Sequence, residues 1–334
     1  MWQAKLYGAG DLRFEEAVFD GSQLGPGEVL VETEVSALST GTDLGNYEGG
    51  STYVPGAPDY PRWVGYSNVG VVRAVGSAVR DLAPCDRVFS TRPHLSAFLS
   101  EESRIWAKVP QNVPAEAASL VYLTNLGLRA LQQSRFQPGE DVAIVGLGVI
   151  GLCTVALARA MGAGRVIAVA NAEPRAAAAL RMGATDIRMS AEAVVPESAD
   201  VVVLTANTWE SYRYSMEMVR VCGRVPILGF PGRGEPTPDF NPLAPEWLYR
   251  KQLGLFGAGL SPLSDAPAHE LRFNLRRNLA YLLDLMSQGR LDLARVISHR
   301  FPAARLLEAY ELARRRDKGF TAAVFDWSEF HGRH

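Results

Sequence analysis

Residues 141–151 read DVAIVGLGVIG, which joins a short apolar strand to a glycine turn and the start of a helix. Gly146, Gly148 and Gly151 form the pattern G-x-G-x-x-G in this strand–turn–helix setting. In such a turn the first glycine allows a tight bend, the second admits a pyrophosphate, and the third lets the helix approach its strand. A second apolar strand, residues 165–169, completes a β-α-β unit. We therefore predict a dinucleotide site at the helix N-terminus, the alternative being a purely structural turn.

The chain beyond this unit continues to alternate strands and helices. Apolar runs at residues 199–204, 224–228 and 253–256 predict strands, and helical patterns cover residues 174–182 and 211–221. Strands separated by helices of this length predict a parallel, doubly wound sheet.

The N-terminal third has a different pattern. Residues 29–35 alternate apolar and polar side chains, and residues 68–75 form a strand pattern that Gly70 interrupts, as expected at a bend in a small barrel. Residues 45–64 are rich in Gly, Pro and Tyr and show neither period, so we expect a functional loop there. The first domain is therefore predicted to be built mainly from strands.

Bulk properties narrow the partners and the compartment. The 334 residues carry a net charge of -2, which does not favour nucleic acid or a membrane surface as a partner. Cys85, Cys153 and Cys222 are far apart and match no disulfide or metal pattern. No apolar run reaches membrane length and the first residues lack a signal-peptide pattern, so a cytoplasmic location is the default expectation.

Four short motifs carry a resemblance to a known family. They are STGTD at residues 39–43, GYSNVG at 65–70, DRV at 86–88 and the glycine turn at 146–151. With the order of parts they resemble the medium-chain dehydrogenase/reductase superfamily, and the first two look most like its bacteriochlorophyllide dehydrogenase-like branch. The resemblance implies an α/β fold in which a GroES-like, partly open β-barrel catalytic domain accompanies a Rossmann domain.

The same resemblance implies a domain order. We expect a catalytic domain at residues 1–115, a cofactor-binding domain at 116–262 and a segment at 263–334 that returns to the catalytic domain. A homodimer formed through the edge strand of the Rossmann sheet is a habit of the family and is expected here.

Zinc-dependent members of the family have metal ligands that this chain lacks. The family's cysteine position holds Thr40, its His-Glu pair is replaced by Tyr66-Ser67, and its third ligand falls near Val121-Tyr122. Hydroxyl and apolar side chains replace poorly the thiolate, imidazole and carboxylate groups that zinc prefers. Residues 88–96 also leave no room for the four-cysteine lobe, so no zinc is predicted at either site.

Chemistry without a metal requires protein groups that move a proton. Thr42 stands where zinc alcohol dehydrogenases have a Ser or Thr relay, and its hydroxyl can both donate and accept. The alternative is a threonine that stabilises a turn. Asp43 next to it either supports the site or makes a local turn hydrogen bond.

Three further side chains are candidates for the proton donor or the substrate pocket. Tyr66 occupies the position of the zinc-binding histidine, so its phenol either donates to a substrate oxygen or simply packs in the interior. Tyr53, like Tyr47, lies in the Gly/Pro/Tyr-rich stretch and is a candidate pocket residue. His94 titrates near neutral pH and is either a general acid or base or a structural histidine.

The end of the second Rossmann strand favours NADP(H) over NAD(H). NAD-specific sites place an acidic residue there to bind the ribose 2′-hydroxyl, but the position is Ala170 in this chain. Asn171 can donate to a 2′-phosphate and Arg175 can pair with it. Glu173 argues against this preference, because a small backbone shift would bring its carboxylate to the ribose.

Other cofactor contacts follow from position alone. Thr124 or its neighbour Asn125 occupies a position that often contacts the nicotinamide in the family. Further contacts are expected from the helix start and from the carboxyl ends of strands, where open α/β sheets bind ligands, namely Val149, Ile150, Thr205, Ala206, Asn207, Gly229 and Phe230.

These features predict an oxidoreductase that interconverts an alcohol and a ketone on a small organic substrate without zinc. One alternative is an NADPH-dependent enoyl or quinone reductase, because conjugate reduction also needs no Lewis acid. Another is a nucleotide-binding protein that has lost catalysis. The intact glycine turn and the retained Thr42 favour an enzyme.

Overall fold

The computed structural model describes residues 1–49, 59–189, 195–263 and 273–332. It divides into two compact units. Unit 1 comprises Met1–Tyr122, Leu279–Gln288 and Ile297–His334, and unit 2 comprises Leu123–Asn278 and Gly289–Val296. Within the described ranges no helix combines the length and the apolar character that crossing a bilayer requires.

Sixteen strands and eight α-helices are found in the described parts of the chain. The strands are β1 (Trp2–Leu6), β2 (Leu12–Glu16), β3 (Glu28–Leu38), β4 (Arg62–Trp63), β5 (Asn68–Val75), β6 (Arg87–Ser90), β7 (Ala97–Glu101), β8 (Ile105–Lys108), β9 (Val142–Val145), β10 (Val166–Ala170), β11 (Asp186–Met189), β12 (Ala199–Leu204), β13 (Val219–Ile227), β14 (Gly254–Gly257), β15 (His299–Pro302) and β16 (Ala323–Asp326). The helices are α1 (Thr42–Tyr47), α2 (Ala115–Ala118), α3 (Val121–Gln133), α4 (Val149–Ala160), α5 (Glu173–Arg181), α6 (Trp209–Met218), α7 (Leu275–Ser287) and α8 (Leu306–Arg314).

Unit 1 is built on two sheets. The smaller sheet has the strand order β2-β1-β4. The larger sheet has the order β15-β16-β3-β5-β6-β8, and β7 also pairs with the N-terminal part of β3. The long strand β3 is central because it pairs with β5, β7 and β16. Its alternating pattern places Val29 and Val31 in a buried cluster with Val72, Val88 and Phe98. The C-terminal strands β15 and β16 therefore complete a sheet that the N-terminal strands begin.

Unit 2 is organised on one parallel sheet. Its order is β11-β10-β9-β12-β13-β14, so the chain starts in the middle, moves to one edge and then to the other. Val145 at the end of β9 pairs in register with Val169 on one side and Leu204 on the other. These strands are buried because helices cover both faces of a sheet of this kind. The strand order reverses next to β9, which is where such sheets bind ligands.

The division of the chain differs in position from the expected one. Helix α2 packs on β3 and β5, which keeps residues after 115 in unit 1. Unit 2 extends past residue 262 to Asn278 and also includes Gly289–Val296. Contacts made by helices set the boundaries between the two units, and such contacts cannot be recognised from the amino-acid composition.

Several local predictions need correction. The helix expected at residues 211–221 ends at Met218, and β13 already starts at Val219. Apolar spacing alone does not distinguish the last turn of a helix from the first residues of a buried strand. The loop expected at 45–64 begins with residues of α1 and ends with β4, and residues 50–58 lie outside the described part.

Candidate active site

The glycine turn of unit 2 has the geometry of a phosphate cradle. Gly146 has a φ of +102°, a conformation that side chains other than glycine's rarely tolerate. A Cβ on Gly151 would overlap the carbonyl oxygen of Gly146, so the third glycine is required by close packing. A Cβ on Gly148 would meet nothing within 4 Å. The first turn of α4, including Val149 and Ile150, thus starts beside open space with no side-chain cap. Backbone N–H groups at such a helix start fit a pyrophosphate.

The carboxyl ends of three neighbouring strands meet at this turn. The hydroxyl of Thr205, after β12, donates to the carbonyl of Gly146 over 2.7 Å. Asn207 accepts a 2.8 Å hydrogen bond from the N–H of Phe230, and the N–H of Gly229 donates to the carbonyl of Leu204. Most of this set, which includes Ala206, retains partial or full exposure. Unit 2 therefore brings together the strand-end residues that the sequence singled out.

Arg175 reaches the glycine turn from the neighbouring helix. Its guanidinium donates to the carbonyl oxygen of Leu147 over 3.2 Å. Asn171 and Glu173, which flank the start of α5, are exposed, whereas Ala170 at the end of β10 is buried. The end of β10 thus carries an amide, a partly buried guanidinium and one exposed carboxylate.

Thr124 lies in the interior of unit 2. Its side chain is fully buried, and its hydroxyl hydrogen-bonds the thiol of Cys153, whose pKa burial raises to about 12. The oxygen of the Asn125 amide accepts from Ser261 and Asn278. Both candidates for the nicotinamide contact therefore have buried side chains, and Thr124 has no exposed group to offer a ligand.

A cluster of hydroxyl groups forms in unit 1. The phenol of Tyr66 donates to the hydroxyl of Ser39 over 2.6 Å, and Thr42 also hydrogen-bonds this phenol. The ring of Tyr122 packs edge-on against that of Tyr66, with 5.5 Å between centroids. Tyr66 and Thr42 are partly exposed, while Ser39 is buried. Burial, and then the nearby carboxylate of Asp43, raise the pKa of Tyr66 above its ordinary value of 10, so the phenol is neutral at pH 7.

Asp43 links the two segments that carry this cluster. One of its carboxylate oxygens accepts from the N–H of Ser39 over 2.9 Å and the other from the N–H of Gly65 over 3.0 Å. The side chain is buried, and burial raises its pKa to about 6 although both hydrogen bonds lower it. Asp43 thus fixes the chain on both sides of the Tyr66–Ser39 pair, which is more than the local turn bond of the alternative prediction.

His94 and Tyr47 have buried side chains that bond residues outside the hydroxyl cluster. His94 is fully buried, its Nδ1 lies 2.8 Å from the Ser36 hydroxyl, and burial lowers its pKa to about 3. A histidine that stays neutral and has no solvent access fits the structural alternative, so we remove His94 from the catalytic set. Tyr47 is buried on α1 with its hydroxyl bonded to Glu311, and Tyr53 lies outside the described residues.

The side chains at the family's zinc positions do not fit zinc. The ring contact of Tyr66 with Tyr122 and the hydrogen bond of Tyr66 to Ser39, the neighbour of Thr40, show that the segments do meet in unit 1. Neutral hydroxyls stand there instead of thiolate or imidazole. Both oxygens of the nearby Asp43 accept from backbone N–H groups. Throughout the described ranges no three His, Cys, Asp or Glu side chains are grouped to hold a metal ion.

Sequence reasoning missed two members of the hydroxyl cluster. In the sequence Ser39 stands out only as part of the STGTD motif, and Tyr122 only as the neighbour of an absent ligand. No local signal marks either residue, because each acquires its role from Tyr66, which is 27 positions away from Ser39. The sequence indicates that the two segments belong to one site only through the resemblance of both motifs, STGTD and GYSNVG, to the same family.

A parallel sheet with a glycine cradle, accompanied by a unit that holds a hydroxyl cluster, defines a dinucleotide-dependent enzyme. Two family descriptions match the chain: "Alcohol dehydrogenase GroES-like domain" over residues 25–104 and "Zinc-binding dehydrogenase" over residues 149–267. The chain belongs to the medium-chain dehydrogenase/reductase superfamily, and it is an NAD(P)-dependent oxidoreductase. The predicted combination of a GroES-like and a Rossmann domain is confirmed.

Individual relatives span much of the chain. The sorbitol dehydrogenase of Rattus norvegicus is 22% identical over 93% of this chain and 92% of its own length. The L-threonine 3-dehydrogenase of Bacillus licheniformis is 31% identical over 65% of this chain and 60% of its own. The galactitol-1-phosphate dehydrogenase of Escherichia coli has the same fold, with a TM-score of 0.81 at 20% identity, over 98% of this chain and all of its own.

Proposed function

We propose that this protein interconverts a secondary alcohol and a ketone on a small organic substrate, with NADP(H) as its cofactor and without zinc. Relatives named as sorbitol and L-threonine 3-dehydrogenases support alcohol–ketone chemistry. The observation that carries the metal-free part is that Tyr66, at the position of a zinc-binding histidine, bonds the hydroxyls of Ser39 and Thr42. The proposed place within the bacteriochlorophyllide dehydrogenase-like branch rests only on the two N-terminal motifs.

Unit 2 would hold the cofactor. The N–H groups at the start of α4 would bind its pyrophosphate, and Gly148 leaves the space that the phosphates need. When bound, the nicotinamide supplies or accepts the hydride.

Unit 1 would handle the proton. Tyr66 is neutral and partly exposed, so its phenol can donate a hydrogen bond to a substrate oxygen. Thr42 bonds the same phenol and is also partly exposed, which suits a relay between the phenol and solvent. In reduction the pair stabilises the negative charge that develops on the carbonyl oxygen. In oxidation the phenol first passes its own proton through Thr42 to solvent, and its oxygen then receives the proton of the alcohol.

The proposed preference for NADP(H) rests on Arg175 and Asn171. The hydrogen bond of Arg175 to Leu147 anchors a cation beside the glycine turn. Asn171 is exposed immediately after β10, the strand that lies next to the one preceding the turn. A guanidinium and an amide donor suit a phosphate, while a buried Ala170 offers no carboxylate to a ribose. The exposed Glu173 is the one opposing charge on these few residues.

A homodimer formed through the sheet of unit 2 is also proposed. Strand β14 lies at one edge of the described sheet of unit 2, and β13 is the one strand of that sheet with which it pairs. Leu260, which follows β14, is 80% exposed. An unpaired strand edge next to exposed apolar side chains suits pairing with a second copy.

The purified enzyme with NADPH or NADH and a matched panel of ketones, enones and quinones tests the reaction class. The proposal expects reduction of ketones, faster with NADPH, and oxidation of the matching alcohols with NADP⁺. Turnover confined to enones or quinones would replace it with conjugate reduction. Tight NADPH binding without turnover of any compound would favour a non-catalytic protein.

A further inference from the structure

The Tyr66–Ser39 hydrogen bond poses a problem of hydrogen counting. The two oxygens are 2.6 Å apart, and a phenol has only one hydrogen. While that hydrogen points to Ser39, Tyr66 cannot donate to a substrate. If Tyr66 turns its hydrogen to the substrate, its oxygen loses the bond unless Ser39 donates in return. Ser39 is 3% exposed, so water has little access to take its place.

The surroundings of Ser39 permit that reversal. The N–H of Thr42 points to the Ser39 oxygen at 3.4 Å, so this oxygen has a donor other than Tyr66. The N–H of Ser39 is held by Asp43, whose other oxygen holds Gly65, the residue before Tyr66. The backbones on both sides of the hydroxyl pair are therefore fixed by one carboxylate. Only the two hydroxyl hydrogens need to rotate.

We propose that Ser39 is a positioning residue for Tyr66, whose hydroxyl turns to donate to the phenol oxygen when Tyr66 passes its proton to the substrate. This inference rests on the proposed function and deepens it. Ser39 is buried, and its side chain bonds the phenol and the N–H of Thr42, so it acts through Tyr66 and does not touch the substrate. The role differs from that of Thr42, which is partly exposed.

The proton balance is simple. In ketone reduction the O–H bond of Tyr66 breaks, and a new O–H bond forms on the substrate oxygen as hydride reaches the carbonyl carbon. The electron pair of the broken bond stays on the phenol oxygen as negative charge. Ser39 donates to that oxygen and shares its charge, and a solvent proton then restores the phenol. The oxidation direction runs through the same groups in reverse.

A double-mutant cycle separates this role from ordinary packing. Ser39→Ala should lower kcat by roughly 10-fold or more, since hydrogen bonds to charged groups are worth more than neutral ones. The same change in a Tyr66→Phe background should have no further effect on kcat. Ser39→Thr keeps the hydroxyl and should recover most of kcat. Equal losses from Ser39→Ala in both backgrounds would overturn the inference.

A spectroscopic titration tests the pair without turnover. Incorporation of 3-fluorotyrosine at position 66 lowers the phenol pKa and makes its ionisation visible by absorbance. Ser39→Ala should raise that phenol pKa, because the Ser39 hydroxyl stabilises the phenolate, and Ser39→Thr should restore it. Should the alanine variant fail to fold, Ser39→Cys keeps a similar volume with a weak donor and is expected to shift the pKa in the same direction. An unchanged phenol pKa in a folded variant would overturn the inference.

Ser96 provides the matched control. It is 1% exposed in unit 1, and its hydroxyl oxygen accepts from the N–H of Trp2 over 2.9 Å. Ser96→Ala removes a buried hydroxyl of the same kind and should change neither the phenol titration nor the coupling to Tyr66. Full turnover by Tyr66→Phe would contradict the role of Tyr66 as proton donor in the proposed function. An unchanged phenol pKa in Ser39→Ala would contradict only the positioning role of Ser39.

Discussion

The guanidinium of Arg175 donates a hydrogen bond to the carbonyl oxygen of Leu147, the residue between the first two glycines of the turn. This bond joins α5 to the loop before α4, so a cation is held next to the phosphate cradle. Arg175 follows β10 in the chain. At the end of this strand NAD-binding family members have an acidic residue, whereas this chain has a buried alanine. Cofactor preference should therefore depend on Arg175.

Arg175→Ala should weaken NADPH binding by roughly 10- to 100-fold, because a charge-assisted hydrogen bond to the 2′-phosphate is lost. NADH has no such phosphate and should lose little affinity. Calorimetric titration of both cofactors measures the difference. Arg181→Ala, at the exposed end of the same helix, is the control and should leave both affinities unchanged. Equal weakening of NADPH and NADH by Arg175→Ala would contradict the phosphate role.

Tyr66→Phe should reduce kcat by about 10²-fold, the lower range for loss of a general acid. Cofactor affinity should not change, since the glycine turn belongs to the other unit. Steady-state kinetics with a ketone and titration with NADPH provide the two readouts. Tyr7→Phe, which removes a phenol bonded to Glu15 instead of to the hydroxyl cluster, is the control and is expected to leave kcat intact. Normal kcat in Tyr66→Phe would identify Tyr66 as a packing residue.

The second and third glycines of the turn should respond differently to alanine. Gly148→Ala places its Cβ in open space and should leave the free energy of unfolding nearly unchanged while weakening cofactor binding. Gly151→Ala brings its Cβ against the Gly146 carbonyl and should destabilise the protein by about 1–3 kcal/mol. Chemical unfolding and cofactor titration of both variants distinguish the effects. A stable Gly151→Ala variant would show that the helix can move away from its strand at little cost.

Asp43→Asn should destabilise the protein by about 1–3 kcal/mol, because an amide must turn its NH₂ group to one of two backbone N–H donors. The pKa of Asp43 is raised to about 6, above its ordinary value of 3.8, so the folded state binds this proton more tightly than the unfolded state. Its contribution to stability is therefore complete below pH 4 and is lost as pH rises through about 6. The penalty of Asp43→Asn should accordingly shrink from pH 4 to pH 7. Denaturant unfolding across this range measures the trend, and a penalty that grows with pH would contradict it.

Chelators should not reduce turnover. The hydroxyl groups at the family's metal positions are weak zinc ligands, so we expect the purified enzyme to contain far less than one zinc per chain and to keep its activity in EDTA. Elemental analysis and assays before and after dialysis check this. One zinc per chain, with activity lost on removal and recovered on addition, would disprove the metal-free proposal.

The sequence was informative where function depends on contiguous residues. The run DVAIVGLGVIG specified a strand, a turn and a helix start, and the structure has all three at Val142–Val145, Gly146–Gly148 and Val149–Ala160. Strands β1 and β2 were not predicted, since five-residue segments with mixed polarity give no clear period. His94 looked catalytic only because histidine titrates near neutral pH, and burial removes that property.

By itself the sequence determined the family, the glycine cradle and the replacement of thiolate and imidazole groups at the family's zinc positions, because each of these depends on residue type and short spacing. The tertiary structure alone decided that Ser39, Thr42 and Tyr122 surround Tyr66 and that Asp43 connects Ser39 with Gly65. Hydrogen bonds between residues far apart in the chain depend on how strands and helices pack. The apolar period of a segment predicts which face is buried, but it does not identify the distant residue that a polar side chain will bond.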